Sequence, residues 1–325
     1  MTQYDLILLG AGHAHLGVLR RWAIFERPQG RIALVSVGHH AWYSGMLPGL
    51  ISGQHAADDC RVELAPLCRG AKVELIVDQV AALQADTRQV QLASGACLQG
   101  KWLSLNVGGA LSQPTQSGTA IECLAVKPFE SFLQGWQRWK DDPAPTAIIG
   151  GGAAGVELAL AMARHVPHLA LFCSGRLLSG HNAGLHLRAL GHLRQRRVNV
   201  REYCPISHIE NDQLFSEQQA VWQGARVLLA SGAAALPWLA QSGLECDARG
   251  FVNIAPTLQS FSHPHVFAVG DCSALPGAMR SGVYAVRQAK VLAHNLNAAI
   301  SRQPLQAYQP QKRFLSLLSA GGKQA

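Results

Sequence analysis

The chain has 325 residues, of which 48% are hydrophobic and 15% charged, and its formal net charge is +8. This composition is typical of a packed globular protein and excludes intrinsic disorder, and no apolar run reaches the roughly 18 residues of a membrane-spanning helix. The positive charge suits nucleic acid, a membrane surface or an anionic cofactor. The densest basic stretch, 193–201, is short and lacks aromatic residues for base stacking, so we predict no nucleic-acid partner.

The eight cysteines are scattered and form no C-x-x-C pair, so most are expected to be buried free thiols. His13 and His15 lie one residue apart without a neighbouring cysteine or carboxylate cluster, and we predict no metal site. The amino terminus does not resemble a signal peptide, because Asp5 interrupts it, which favours a cytoplasmic location.

The first third of the chain alternates strands and a helix. "YDLILLG" is predicted to be a strand, residues 13–25 a helix and "RIALVSV" a second strand, which together make a βαβ unit. Residues 71–109 read instead as successive short strands separated by turn residues, as in an antiparallel meander, and end at Gly108 and Gly109.

After a Pro/Asp-rich linker, "KDDPAPT", the same order begins again. "TAIIGGGAAGVELALAMARHV" is strand, glycine turn and helix, "HLALFCS" is the next strand, and "ARVLLASGA" is a closing strand that contains Gly232. The sequence therefore predicts an α/β protein with two Rossmann-like dinucleotide-binding domains, each a three-layer ββα arrangement.

The loop of the second unit has the full G-x-G-x-x-G pattern. Gly150 permits a tight turn, Gly152 lets backbone N–H groups approach a pyrophosphate, and Gly155 lets the helix pack on the strand. We predict that this loop binds a pyridine nucleotide at the positive end of the helix dipole. The alternative is a small-residue contact between helix and strand without a ligand.

The first loop departs from the pattern at its third position, where His15 replaces glycine. The pyrophosphate roles belong to Gly10 and Gly12, which are both present, so we predict binding by these residues together with His13 and Ala14.

Neither second strand ends in the acidic residue that commonly binds ribose hydroxyls. The first unit has Ser36 there, and the second has Ser174 followed by Arg176. The arginine favours the 2′-phosphate of NADPH over NADH, although both donors stay open.

The stretch "SFSHPHVFAVGDCSAL" contains a strand ending at Gly270 and Asp271, followed by the helical "GVYAVRQAKVLAHNL". The order of two glycine loops, two small-residue strand ends and this Gly-Asp motif resembles the two-dinucleotide-binding flavoproteins. These include the pyridine nucleotide-disulfide oxidoreductases, the type II NADH dehydrogenases and the sulfide:quinone oxidoreductases. The resemblance covers nearly the whole chain and implies that Asp271 holds the ribityl chain of FAD.

The resemblance also implies a discontinuous FAD-binding domain at 1–115 and 236–303, and an NAD(P)H-binding domain at 116–235. Residues 304–325 are then expected to begin a truncated carboxyl-terminal segment. More narrowly, "GAGHAHLGVLRRW", "YSGMLPGLISG" and "GGGAAGVELAL" resemble a bacterial group that accompanies selenophosphate synthetase, sometimes as a fusion. This likeness implies a selenophosphate synthetase partner and a role in selenium metabolism.

The implied reaction is hydride transfer from NAD(P)H to FAD, followed by electron transfer to a small-molecule acceptor. The segment 41–50, with Ser44 and Pro48, is expected to line one side of the flavin ring. It lacks the redox-active cysteine pair of disulfide reductases. Glu157 matches the glutamate that type II dehydrogenases place near nicotinamide and flavin, and it is our predicted catalytic residue. The alternative is an ordinary acid in the first helical turn.

Two departures weaken a simple NADH:quinone assignment. The glutamine-rich stretch of the type II dehydrogenases has Val283 and Arg287 at its first two glutamine positions and keeps Gln288. The amphipathic carboxyl-terminal segment that docks those enzymes on membranes is also missing, so peripheral attachment to the inner membrane is expected of a longer form.

The acceptor therefore stays open between a quinone and a selenium or sulfur compound. A sulfide- or selenide-oxidising flavoprotein is an alternative, for which Cys123 is the candidate redox-active thiol. A further alternative is a non-catalytic flavin-binding module that serves selenophosphate synthetase. The sequence is also compatible with a homodimer.

Overall fold

The computed structural model describes residues 1–118, 120–166, 168–311 and 317–320. Within these residues the strands, β1 to β22 in chain order, are Thr2–Leu9, Ile32–Ser36, His40–Trp42, Arg61–Glu63, Glu74–Val77, Val80–Gln84, Gln89–Leu92, Cys97–Leu105, Ala110–Leu111, Thr115–Ser117, Glu122–Ala125, Thr146–Ile149, Leu169–Phe172, Asn199–Arg201, His208–Glu210, Gln213–Ser216, Gln219–Gln223, Arg226–Leu229, Ala233–Ala234, Val252–Asn253, Val266–Ala268 and Ser273–Ala274. The helices, α1 to α8, are His13–Ile24, Leu47–Ile51, Leu64–Gly70, Phe129–Asp141, Ala153–Met162, Ala183–Gln195, Pro237–Ala240 and Gly282–Ile300.

The described residues form two compact units. Unit 1 contains residues 1–41, 62–110 and 233–311, and unit 2 contains residues 42–61, the described part of 111–232, and 317–320. Each unit is built on its own sheet, largely parallel in unit 1 and parallel in unit 2, with helices packed against it, so the predicted α/β class is confirmed.

The sheet of unit 1 has the strand order β5-β2-β1-β8-β7-β6, with β21 also pairing with β8. β1 pairs in parallel with β2 and with β8, whereas β6, β7 and β8 form an antiparallel meander. β1 is buried over most of its length, as expected for a central parallel strand. Helix α1 packs closely against α8, because a Cβ at Gly17 would lie 2.6 Å from the Cβ of Ala289.

The main sheet of unit 2 has the order β11-β18-β12-β13-β14, and all of its pairs are parallel. Helix α5 is almost wholly apolar and mostly buried, and α4 contributes Phe132, Trp136 and Trp139 to the same core. A smaller sheet, β10-β15-β16-β17, completes the unit.

The segment 42–61 packs in unit 2, although the sequence prediction placed it in the FAD-binding domain. Helix α2 packs against α5, with Leu47 and Ile51 buried in the unit-2 core, and Trp42 stacks on Phe129 with ring centroids 4.8 Å apart. The apolar side of this short helix determines where the segment lies. Among the described residues, no helix has both the length and the apolar character to cross a membrane.

Candidate functional site

The glycine loop of unit 2 joins β12 to α5, as the sequence predicts. Gly150 adopts a φ of +137°, which side-chain-bearing residues rarely tolerate, and a Cβ at Gly155 would overlap the carbonyl oxygen of Gly150. A Cβ at Gly152 would meet no atom within 4 Å. The first and third glycines are therefore required by packing, and the second leaves an open surface at the start of the helix, where a pyrophosphate could approach.

The glycine loop of unit 1 is organised around a side chain that the sequence analysis missed. The Oδ1 atom of Asn106 accepts hydrogen bonds from the backbone N–H groups of Ala14 (3.0 Å) and His15 (3.2 Å). Its Nδ2 donates to the carbonyl oxygen of Val269 at 3.0 Å. A Cβ at Gly12 would overlap the Asn106 side chain, so this glycine is needed for contact within the protein.

This arrangement corrects the prediction for Ala14. The residue is fully buried and its N–H is engaged by Asn106, so the structure gives it a packing role in place of a cofactor contact. His13, Gly10 and Gly12 remain at the surface of the loop as half-exposed candidates for FAD.

His15 fills the third-glycine position with a buried, fully hydrogen-bonded ring. Its Nδ1 lies 2.6 Å from the carbonyl oxygen of Gly10, and its Nε2 lies 2.8 Å from Oγ of Ser104. Because a carbonyl oxygen can only accept, Nδ1 carries the proton and Nε2 accepts from the serine hydroxyl. Burial lowers the pKa of His15 to about 4, so the ring is neutral near pH 7.

The Gly-Asp motif of unit 1 is held from behind by α8. The backbone N–H of Gly270 donates to Oε1 of Gln288 at 2.9 Å, and Gln288 is buried. A Cβ at Gly270 would lie 2.6 Å from Nδ2 of Asn106. Asp271 is half-buried in the following turn. Gln288, the glutamine kept from the type II dehydrogenase stretch, therefore supports the motif from inside the unit.

The other predicted FAD contacts of unit 1 lie at strand ends. Ser36 is buried at the end of β2. Gly108 follows β8 with open space around its Cβ position. In unit 2, Ser44 is exposed, whereas Pro48 is buried at the start of α2 by the packing of that unit. Pro48 therefore has a structural role in the place where a flavin contact was predicted.

The sequence analysis did not foresee a carboxylate beside Arg176. Glu202, the residue that follows β14, accepts hydrogen bonds from the N–H of Leu177 at 2.6 Å and from Nε2 of His186 at 3.0 Å. Burial opposes ionisation, but these donors and the nearby Arg176 guanidinium hold the pKa of Glu202 below its ordinary value. The sequence missed it because Glu202 is remote from Ser174 along the chain.

Arg176 is half-exposed and donates to the carbonyl oxygen of His181 at 3.0 Å, while Ser174 is exposed. Of these two residues predicted to bind NAD(P)H, Arg176 lies near the Glu202 carboxylate. Gly232 is exposed, and its carbonyl oxygen accepts from the N–H of Ser112 at 3.1 Å.

Glu157 is the fifth residue of α5, beyond the first turn that the alternative interpretation requires. The favourable effect of a helix N-terminus on an acid fades after that turn, so the ordinary-acid explanation does not fit. Its Oε1 accepts a 2.7 Å hydrogen bond from the N–H of Ser319. Burial raises the pKa of Glu157, and the Ser319 bond partly opposes this shift.

Every cysteine whose pKa departs from the ordinary value has a raised pKa, so none of these thiols is activated as a thiolate. Burial raises the pKa of the half-buried Cys123, and it raises the pKa of Cys173 and of Cys272 to about 12. Since the thiolate is the nucleophile, these groups are poorly suited to redox chemistry near pH 7.

Sequence relatives of the chain include NADH dehydrogenases. It is 26% identical over 185 residues to an NADH dehydrogenase-like protein of Bacillus subtilis, covering 56% of this chain and 52% of that protein. It is 26% identical over 185 residues to a type II NADH:quinone oxidoreductase of Haemophilus influenzae, covering 50% and 42% respectively. The chain thus spans about half the length of these relatives.

Solved structures of similar fold include two oxidoreductases. The water-forming NADH oxidase of Lactobacillus brevis matches with a TM-score of 0.80 at 16% identity, covering 95% of this chain and 71% of that chain. The sulfide:quinone oxidoreductase of Aquifex aeolicus matches with a TM-score of 0.75 at 18% identity, covering 94% and 78%. At these identities the likeness concerns the fold.

A family model described as pyridine nucleotide-disulphide oxidoreductase matches residues 4–289. This match spans both glycine loops and the Gly-Asp motif. FAD and NAD(P)H, the cofactors predicted from the sequence, are those of this family. The chain belongs to the pyridine nucleotide-disulphide oxidoreductase family.

Proposed function

We propose that the protein is an FAD-dependent oxidoreductase that takes hydride from NAD(P)H and passes the electrons to a second acceptor. The observation that carries this proposal is the presence of two glycine loops, each joining the carboxyl end of a parallel strand to a helix, in two separate units. Bound flavin supplies the redox chemistry, and the chain supplies binding, orientation and electrostatics.

In this proposal unit 1 binds FAD. Gly10, Gly12 and His13 face the pyrophosphate, and Asp271 accepts hydrogen bonds from the ribityl hydroxyls. The fit is supported by the half-buried position of Asp271 and by the open space beside Gly108. Asn106 orients the loop and the Gly-Asp turn together, because it bonds to backbone groups of both.

Unit 2 binds the pyridine nucleotide. The open surface beside Gly152 would receive the pyrophosphate, and Ser174 and Arg176, which follow β13, would meet the adenosine ribose. A 2′-phosphate on the ribose would pair with Arg176, which favours NADPH, whereas the Glu202 carboxylate close to it opposes a second negative charge. NADH and NADPH therefore both remain candidate donors.

Glu157 acts in the hydride step in this proposal. As hydride leaves, positive charge develops on the nicotinamide ring, and an ionised carboxylate held nearby would stabilise that charge. Its position just over one turn into the helix that starts at the loop supports this role.

The acceptor is a quinone or a small selenium or sulfur compound. The raised thiol pKa values of Cys123 and Cys272 weigh against sulfide or selenide oxidation through these cysteines. A selenophosphate synthetase partner, for which this protein would serve as a reducing or flavin-binding companion, remains a proposal based on the sequence motifs.

The test is an anaerobic titration of the purified protein with NADPH and, separately, NADH. We expect a yellow protein whose flavin absorbance is bleached by at least one donor. Replacing Asp271 with Ala should give flavin-depleted protein, whereas Asp212→Ala, in the small sheet of unit 2, should retain its flavin. A flavin spectrum that stays oxidised with both donors would contradict the hydride step.

A further inference from the structure

The segment Leu317–Ala320 contributes a backbone donor to the half-buried carboxylate of Glu157, which is far away in the sequence. Leu318 packs against the unit-2 core and Ala320 is buried, whereas Leu317 is 68% exposed. Between these anchors, the N–H of Ser319 donates to Oε1 of Glu157 at 2.7 Å. A bond of this length is typical of an N–H group paired with an ionised oxygen.

Glu157 is an isolated acid in an apolar helix. The sequence of α5 is AAGVELALAM, and most of its other side chains are buried in the unit-2 core. Burying even part of a carboxylate costs free energy unless the group is hydrogen-bonded. The presence of the half-buried Glu157 beside this core, on the helix that begins at the second glycine loop, is more readily explained by chemistry than by stability.

The charged surroundings of Glu157 are simple. The elements packed against α5 include α2, α6, β12 and β13, of which α2, β12 and β13 carry no titratable side chain. The charged or titratable groups of α6 are His186, Arg188, His192 and Arg194. The pKa of Glu157 is shifted by burial first and by the Ser319 bond second.

We infer that Ser319 is a positioning residue whose backbone N–H holds and stabilises the ionised carboxylate of Glu157. This inference rests on the proposed role of Glu157 in the hydride step. The backbone N–H of Ser319 is thereby part of the donor-side machinery, even though Ser319 lies beyond both glycine loops and the Gly-Asp motif.

The experiment measures the rate of flavin reduction at saturating donor as a function of pH in single-turnover mixing. The rate should fall as Glu157 becomes protonated. Ser319→Pro removes the N–H and should move this acid limb upward by about one pH unit or more, because a hydrogen bond to a charged group is lost. Leu317→Pro is the matched control and should keep the wild-type midpoint. Glu157→Gln should remove the limb.

A Ser319→Pro profile that superimposes on the wild type would overturn the inference, as would a limb that persists in Glu157→Gln. Should proline prevent folding, a backbone ester at position 319 removes the same N–H while keeping the side chain and the chain path. The acid limb of the pH–rate profile of this ester-containing protein should shift in the same direction as that of Ser319→Pro. An unshifted acid limb would count against the inference.

Failure of the proposed function is distinguished by a second readout. Carbon-13 labelling of glutamate side chains, with Glu157 assigned by its loss in Glu157→Gln, gives the pKa of that carboxyl without any turnover. Loss of the Ser319 N–H should raise this pKa even in a protein that no nicotinamide reduces. An unchanged pKa would overturn the inference independently of the reaction.

Discussion

The two glycine loops occupy equivalent places in two similar units but are stabilised in opposite ways. In unit 2 the helix approaches so closely that a Cβ at Gly155 would overlap the Gly150 carbonyl oxygen. In unit 1 the same position holds His15, whose ring donates to the Gly10 carbonyl oxygen and accepts from Ser104. One loop is closed by direct contact, and the other by a buried hydrogen-bonded side chain.

The second glycine differs as well. At Gly152 the missing side chain leaves open surface, whereas at Gly12 it makes room for the Asn106 amide. That amide already engages the N–H groups of Ala14 and His15 at the start of α1. The comparison teaches that the second glycine of one sequence pattern can leave open surface in one copy and make room for a neighbouring side chain in the other, since a glycine marks the absence of a side chain without saying what fills the space.

The largest effect is expected at Gly155. Gly155→Ala places a Cβ on the Gly150 carbonyl oxygen and should displace α5, slowing flavin reduction by NAD(P)H by about 100-fold or more. Stopped-flow absorbance at saturating donor measures this. Gly152→Ala is the matched control for folding, because its Cβ meets no atom within 4 Å, and it should unfold at the wild-type urea concentration. Equal unfolding midpoints for both variants would contradict the close-contact account.

A smaller effect is expected at Asn106. Asn106→Ala leaves the N–H groups of Ala14 and His15 and the carbonyl of Val269 without this partner, which should cost about 3 kcal/mol of the free energy of unfolding. Flavin content should fall with it. Asn182→Ala removes an exposed cap of α6 and should cost about 1 kcal/mol. Urea unfolding measures the loss of unfolding free energy in both variants. Similar losses would show that the hydrogen bonds of Asn106 stabilise the protein no more than a surface helix cap does.

The third effect is a pH dependence that belongs to His15. Its folded pKa of about 4 lies below the unfolded value of 6.5, so the unfolded chain binds the proton more readily between these values. The contribution to stability is present above pH 6.5 and is lost progressively toward pH 4, by about 3 kcal/mol in total.

The measurement is the difference in unfolding free energy between the wild type and His15→Ala at several pH values. This difference should shrink as the pH falls from 6.5 to 4.5, because the variant lacks the titrating ring. Asn182→Ala, which removes no titrating group, should show no such convergence. A pH-independent difference for His15→Ala would mean that the ring is not held neutral in the folded protein.

Local pattern determined much of the fold in advance. The strand–glycine–helix order at Gly10 and at Gly150 is set by the spacing of apolar residues and by the geometry of the glycine turn. Both depend on residues that are neighbours in the sequence, so both can be read from the sequence itself. For the same reason the Gly-Asp motif and the antiparallel strands β6 to β8 could be predicted from the sequence, and the family followed from the order of these parts. The prediction was wrong for β5, at the start of the expected meander, because this strand pairs in parallel with β2.

The tertiary structure alone decided which distant groups meet. Asn106 bonds to residues about 90 and 160 positions away, Glu202 reaches Leu177 from the next strand, and Ser319 reaches Glu157 across 162 positions. The segment 42–61 also lies in unit 2 because α2 packs against α5, and the local sequence does not predict this packing. Hydrogen bonds and apolar contacts between remote residues depend on how the sheets and helices pack, and a single sequence carries no local record of that packing.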